Sequence, residues 1–433
     1  MEQLSFLKSH FYFFFFEVFS CNYASAESFK NILAHTYQNN SDILAAKLTL
    51  DKTLEEIPTA WSNFLPSVSL NTSLSRSITD DAYANTSSKA DTGSSSVSLS
   101  QDIVNFAYNE QFNKAKYNII KQREQLRSSV QQVLFDAIKA YLDVSKNRDA
   151  LILKTNNLNV LKAHLKNTEA LFEIRRSTKA DLAQARSRVA RGNADLTSAK
   201  VDLNIANSKY RRIIGLNPEN VLLPLFEIEI PKTLIEAERV ALNSHPDILS
   251  ANVSVDAAKS EIKMKRAAFK PTLSLSGSIT KSHSNNKASA SSESVTSTIG
   301  LELTIPIFQK GVEYVDVRLA KKSLQQAVAE RESARLIIID NTLQSWEEIW
   351  GAESKIKAYE AQVNAAETAA KGISQELVAG RRTLSNLLDS EQELLNARVN
   401  LNGAKHDYLI ARFKFAKRVG KLNPVSLKLV SLN

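Results

Sequence analysis

The chain has one cysteine, Cys21, in 433 residues. A lone thiol forms no internal disulfide, and a chain cleaved after Ala26 keeps no thiol at all. Glycine and proline are scarce, at 11 and 9 residues, so little interrupts a long helix. No run of eighteen apolar residues occurs beyond the N-terminus, which excludes a membrane-spanning helix. If a membrane is crossed, strands must cross it. The six histidines are scattered without metal-ligand spacing, and there is no glycine-rich phosphate loop after a strand and no serine nucleophile elbow. His406-Asp407 reads as a solvated pair rather than half of a triad. The expectation is a non-enzyme without cofactor or metal. Neither sign of charge is missing: 55 Lys and Arg face 46 Asp and Glu, a net +9. The two signs interleave along helical stretches, so the excess reads as solvated helix faces and implies no nucleic-acid partner.

Residues 1–26 resemble a secretory signal. Phe11 to Phe16 form a short apolar core, Lys8 a basic flank and Ala24-Ser25-Ala26 a small-residue cleavage site, although Glu17 interrupts the apolar run. The alternative is cleavage before Cys21 with lipid attachment, for which Val18-Phe19-Ser20-Cys21 is a poor match.

What the chain does contain is a duplication. Ser41-Asp42-Ile43-Leu44 returns as Pro246-Asp247-Ile248-Leu249, Phe64-Leu65-Pro66 as Phe269-Lys270-Pro271, and Gly215-Leu216-Asn217-Pro218 as Gly420-Lys421-Leu422-Asn423-Pro424, at an offset of about 205 residues. The offset holds through loops as well as helices. Two copies of one supersecondary unit are therefore expected, over 27–232 and 233–433.

Each copy opens on a helical pattern, as in Ile43, Leu44, Leu48, Leu50 and Leu54. The period then changes to two. Val68, Leu70 and Leu74 alternate with Ser69, Asn71, Ser73 and Ser75, and Val97 and Leu99 with Ser96, Ser98 and Ser100, a hairpin over 66–104 whose loop is read at Thr79 to Thr92. Residues 271–308 repeat it, with a loop read at Ser282 to Glu293. Strands of ten to twelve residues with one apolar and one Ser/Thr face match the dyad pattern of a membrane barrel. A soluble antiparallel sheet is the alternative, but nothing else in the chain is suited to cover the apolar face. Trp61, Phe64, Phe106, Tyr108, Phe269 and Phe308 gather at one end of the strands as an interfacial girdle. Four strands cannot close a barrel, and lipid does not tolerate open edges, so three copies giving twelve strands are expected.

Long helices follow each hairpin, about Asn105 to Thr168 and Lys310 to Gln375, on the order of 100 Å each at 1.5 Å per residue. Leu126, Val130, Val133, Ala137, Tyr141 and Val144 mark the buried stripe of the first, and Ile339, Leu343, Trp346 and Trp350 that of the second. Strict heptads come next. Leu182, Val189, Leu196, Leu203 and Tyr210 alternate with Ala185, Gly192, Ala199 and Ala206; Leu387, Leu394, Leu401, Tyr408 and Phe415 alternate with Ser390, Ala397, Ala404 and Ala411. This pattern supercoils left-handedly at close helix spacing. Gly215 and Gly420 end these helices, with Pro218 and Pro424 beyond.

Duplicated helix, strand, strand, helix halves with Ser-rich hairpins and heptad helices resemble the TolC family of outer-membrane efflux and secretion channels, over essentially all of the chain from Glu27 onward. The local markers are Phe64-Leu65-Pro66, Leu303-Thr304-Ile305-Pro306-Ile307-Phe308 with Gly311 beyond, and the turn Val378-Ala379-Gly380-Arg381-Arg382-Thr383. The resemblance implies a mostly helical fold with four membrane strands per protomer and a homotrimer whose barrel in outer-membrane lipid continues as a periplasmic tunnel. It also implies a passive exit duct opened by a periplasmic adaptor and an inner-membrane transporter. Leu216 to Thr233 and Lys421 to Asn433 then form an equatorial belt. By the same resemblance Asp181, Arg382, Asn386 and Asp389 form the periplasmic gate, with Asp181 as polar partner of Arg382, and Gly380 and Arg381 form the adaptor-docking turn. Asn386 departs from the acidic residue usual there and Leu377 from the aromatic one, which implies a less negative gate. The residues alone also allow Asp389 and Arg382 to be ordinary solvated turn residues. Low glycine and heptads would equally suit a coiled-coil adhesin or structural surface protein, but a fibre has no need of bilayer-length strands. An adaptor would need lipoyl-like and small barrel domains that have no place here. The cargo is not legible.

Overall fold

The computed structural model describes residues 29–81, 86–219, 221–224, 228–286, 291–427 and 429. Residues 1–26, expected to be a signal segment, lie outside them. The element order is α1 (described over 29–39), α2 (Ser41–Leu54), α3 (Glu56–Ser62), β1 (Ser67–Asp81), β2 (Thr86–Val104), α4 (Phe106–Glu173), α5 (Lys179–Ile214), α6 (Leu234–Ser244), α7 (Pro246–Ala267), β3 (Thr272–Asn286), β4 (Ser292–Thr304), α8 (Val312–Val378) and α9 (Leu384–Arg418). None of the described helices is long and apolar enough to cross a membrane. The chain forms two compact units that cut across the two repeats. One comprises Met1–Lys47, Gln125–Leu249 and Ala334–Asn433; the other comprises Leu48–Glu124 and Ser250–Ser333.

The first unit is helical. Its larger core gathers Phe29, Leu33, Ile43, Leu134, Ile138, Tyr141, Tyr210, Ile214 and Phe413. Phe29 packs edge-on to Tyr141, with centroids 4.9 Å apart, and the Tyr141 hydroxyl donates to the Leu222 carbonyl at 2.9 Å, so the buried ring keeps its polar end satisfied. The smaller core holds Ile248, Ile338, Phe415 and Val419 with Trp346 against them. Ile43 and Ile248, Tyr210 and Phe415, and Ile214 and Val419 are each 205 residues apart. The duplication in the sequence is thus a duplication of the core.

The copies are not equally filled. α8 buries Ile338, Thr342 and Ser345, while Leu343 and Trp350 are 41% and 68% exposed, so its expected stripe is corrected to a neighbouring face with only Trp346 turned toward the core. On α5 and α9 the small heptad companions Ala185, Gly192, Ala199, Ala397 and Ala404 are buried, which fits close helix approach. The expected helix ends hold. Gly215 caps α5 at φ +85° and Gly420 follows α9 at φ +74°.

The second unit carries one antiparallel sheet in the order β1-β2-β3-β4. Opposed residues share a face: Leu70 meets Val97, which meets Ile279, and Leu275 meets Leu301. Ser69 meets Ser98, which meets Ser278, which meets Thr298, and the Ser69 and Ser98 hydroxyls bond at 2.8 Å. The large apolar residues of the alternation fall on one face, with Thr72, Ser95 and Ser297 among them, and the other face is mostly hydroxyls. The strands have 15, 19, 15 and 13 residues, longer than expected, because residues read as loops at Thr79 to Thr92 and Ser282 to Glu293 mostly continue the ladders. Asp, Asn and Ser in those stretches carry turn propensity, but cross-strand pairs override it: Arg76 grips Asp91 at 2.6 and 2.9 Å, and Lys281 meets Glu293 at 2.5 Å.

Candidate channel surfaces and gate

The apolar face is open to its surroundings. Leu70, Leu74, Ile279, Ile299 and Leu301 are 58–87% exposed, and no described element covers them. The apolar band also slants across the strands. From the row Val68, Leu99, Gly277 and Ile299, it reaches further toward the hairpin tips on β1, to Ile78, than on β4, where it stops at Val295, and further toward the helices on β4, to Leu303, than on β1. Strands tilted to a membrane normal produce such a slant, because the bilayer is level and they are not. The outer edges of β1 and β4 pair with no described strand. On one exposed sheet, a greasy face, a hydroxyl face and two open edges are compatible with lipid only if further copies close the ring.

Aromatic rings collect where strands meet helices. Trp61 lies 5.6 Å from Phe64 and 5.7 Å from Phe112, and Phe64 is 5.5 Å from Tyr108. Phe269 stacks edge-on to Tyr314 at 5.0 Å, and Lys270 sits 4.5 Å over Phe106. Phe308 is 73% exposed and has no ring contact among the described residues. Phe112 and Tyr314 were missed by the sequence reading; Phe112 lies in the second turn of α4 and Tyr314 in the first turn of α8, at positions with no strand-end signal.

The expected gate residues sit in two turns of one shape. Thr178 and Thr383, 205 residues apart, each accept from the backbone three residues on, while Asp181 and Asn386 accept from the threonine backbone in return. Hydrogen bonds from the Thr178 hydroxyl and backbone hold the Asp181 carboxyl below its ordinary value. Asn386 replaces a carboxylate without losing the cap, since an amide oxygen accepts the same bond. The turn before each cap contains a left-handed residue, Arg175 at φ +60° and Gly380 at φ +71°, also 205 apart. The turn geometry is therefore common to both copies, and only its residues differ.

The pairing is not the one expected. Arg382 reaches Glu376 at 2.7 Å rather than Asp181, which its cap occupies. Asp389 pairs with Arg188, and one turn earlier Gln184 donates to Ser385 at 2.8 Å. Both contacts join residues 201 apart, so α5 and α9 run parallel with a register one turn short of the duplication offset. Arg188, Gln184, Glu376 and Ser385 were not singled out from sequence. The i, i+4 spacing of 184 with 188 and 385 with 389 was the available signal, but the interhelix register that joins them is a product of packing. Arg381 and Gly380 are exposed at the turn. Among the described residues, no group of three or more His, Cys, Asp or Glu side chains could hold a metal ion.

Comparison with known proteins fixes the family: residues 33–216 and 239–421 match the outer membrane efflux protein family, and the chain belongs to it. It is 25% identical to the outer membrane efflux protein BepC of Brucella suis over 407 residues, covering 94% of this chain and 88% of BepC. It is 25% identical to the alkaline protease secretion protein AprF of Pseudomonas aeruginosa over 345 residues, 78% of this chain and 72% of AprF. The CmeC outer membrane channel of Campylobacter jejuni superposes with a TM-score of 0.77 at 19% identity, over 91% of this chain and 86% of CmeC, which shows the shared fold. The protein is an outer-membrane channel for efflux or type I secretion.

Proposed function

We propose that this protein works as a homotrimer whose three sheets close into one twelve-stranded barrel, with β1 of each copy pairing with β4 of the next. The observation that carries this reading is the sheet itself, with its large apolar residues on one face, a face rich in hydroxyls opposite, and two edges unpaired among the described residues that lipid would not accept. The exposed Leu336, Ile337, Leu343 and Trp350 on α8 supply apolar surface for the same assembly. The duct performs no chemistry; it passes cargo delivered by a periplasmic adaptor and an inner-membrane transporter. The turn at Gly380 and Arg381 docks the adaptor, joined by its first-copy counterpart at Arg175 and Arg176. Asp389, Arg382, Asn386 and Asp181 border the gate. Trp61, Phe64, Phe106, Phe269 and Phe308 anchor the barrel at the lipid interface.

Native mass measurement in detergent, followed by reconstitution in a planar bilayer, tests this. The expected result is three copies per particle and discrete conductance steps. A monomer that conducts nothing would overturn it. A photo-reactive residue in place of Arg381 should in addition capture the adaptor in cells.

A further inference from the structure

Among the described side chains, the hydroxyl face of the sheet is nearly free of charge, and its exceptions are ordered. Along β1 it presents Ser67, Ser69, Asn71, Ser73, Ser75 and Ser77, and the other strands continue in Ser, Thr, Ala and Gly. Among the described side chains, only Asp102 and Glu302 on this face are charged. They fall in one cross-strand row, Asp102 opposite Ser274 and Ser274 opposite Glu302. All the basic side chains described on the strands, namely Arg76, Lys89, Lys281 and His283, lie on the other face by the same register. Asp102 receives only neutral donors, the Asn105 amide at 3.2 Å and the Tyr108 hydroxyl, and Glu302 has no ion pair among the described residues. The negative charge of the row is therefore uncompensated on its own face, whereas Arg76 with Asp91 and Lys281 with Glu293 cancel on the other.

We infer that Asp102 and Glu302 make the barrel lumen cation-selective at this row, as residues that set which charged cargo and ions pass easily. The inference rests on the trimeric channel reading, which turns the hydroxyl face inward and repeats the row three times. Twelve strands about 4.8 Å apart and tilted about 40° enclose a backbone radius of about 12 Å. The Debye length is about 10 Å at 0.1 M salt and about 30 Å at 0.01 M. The row's potential thus reaches the axis only in dilute salt, while near the wall it persists at physiological strength. Small cations are favoured and anionic solutes slowed, without a narrow filter.

Charged thiol reagents read the potential locally. Cysteine is placed at Ser274, inside the row, or at Ser282, roughly 26 Å further along β3 at about 3.3 Å per residue. Cells carrying the full chain are treated from outside with cationic and anionic methanethiosulfonates, and the parent chain, whose one cysteine is Cys21, serves as blank. The expected ratio of cationic to anionic rates is severalfold higher at Ser274→Cys than at Ser282→Cys in dilute buffer. It should fall to the Ser282→Cys value in 1 M salt, or when Asp102→Asn and Glu302→Gln are added. Equal ratios at the two positions, or a ratio that survives neutralisation of both carboxylates, would overturn the inference. Wild-type protein that forms no conducting pore in a bilayer would instead bring down the channel reading beneath it.

Discussion

At the scale of single residues, the duplication works as an internal control. Asn40 and His245 occupy equivalent positions before α2 and α7. The Asn40 side-chain oxygen accepts from the backbone of Asp42 at 2.9 Å, and His245 Nδ1 accepts from the backbone of Asp247 at 3.2 Å. An imidazole can do this only while that nitrogen is unprotonated. Burial lowers the His245 pKa, with Arg127, Lys417 and Arg418 adding to the effect and Asp247 opposing it. The unfolded chain then binds protons more readily, so stability declines as pH falls through the ordinary histidine range near 6.5. His406, also lowered by burial, adds to the same trend. His245→Asn should keep the cap, as Asn40 does, and flatten the fall in thermal midpoint between pH 7 and pH 5. An unchanged slope would show that His245 is not the cap.

Glycine offers a second comparison at this scale. A Cβ on Gly420 would stand 2.9 Å from the Ser244 carbonyl oxygen and 3.1 Å from the His245 backbone, whereas one on Gly215 would meet nothing nearer than the His35 ring at 3.7 Å. Both residues have positive φ, so each alanine substitution costs on the order of 1 kcal/mol in backbone strain. Only Gly420→Ala adds a clash with backbone that cannot rotate away. It should lower the melting midpoint clearly more than Gly215→Ala.

At the scale of elements, α5 and α9 are held by two rungs, Arg188 with Asp389 and Gln184 with Ser385. An exposed ion pair contributes roughly 0.5 kcal/mol, and three copies about 1.5 kcal/mol, enough for about a tenfold change between closed and open states. Arg188→Glu should therefore raise the open fraction in single-channel recordings by about that factor, and adding Asp389→Arg should reverse most of the change. Failure of the double variant to recover would assign the effect to α5 packing rather than to the pair.

Much of this scale was legible in the sequence. Gly215, Gly420 and the period-two runs marked element order and ends, because helix stops and alternation are local properties; the Thr178 and Thr383 caps are equally local signals that the reading passed over. Three features were not legible. The hairpins are longer than read, since cross-strand pairs such as Arg76 with Asp91 outweigh turn propensity. The α8 stripe lies on a neighbouring face, since a half-filled core leaves Leu343 and Trp350 outside. The partners of Arg382 and Asp389 depend on an interhelix register that no single helix encodes.

At the scale of the whole molecule, symmetry explains both what is shared and what differs. The two copies supply equivalent caps, equivalent turns and cores built on equivalent positions but unequally filled. They differ in residues at the two turns, at Asp181 against Asn386, Gln184 against Asp389, and Arg175 against Gly380. One assembly claim underlies the rest: the sheet faces lipid with one side and water with the other. Spin labels placed singly at residues 297–303 of β4 test it in reconstituted membranes. Residues 299, 301 and 303 should be relaxed mainly by oxygen, which concentrates in lipid, and residues 298, 300 and 302 by a water-soluble nickel complex. Relaxation without that alternation would contradict the account.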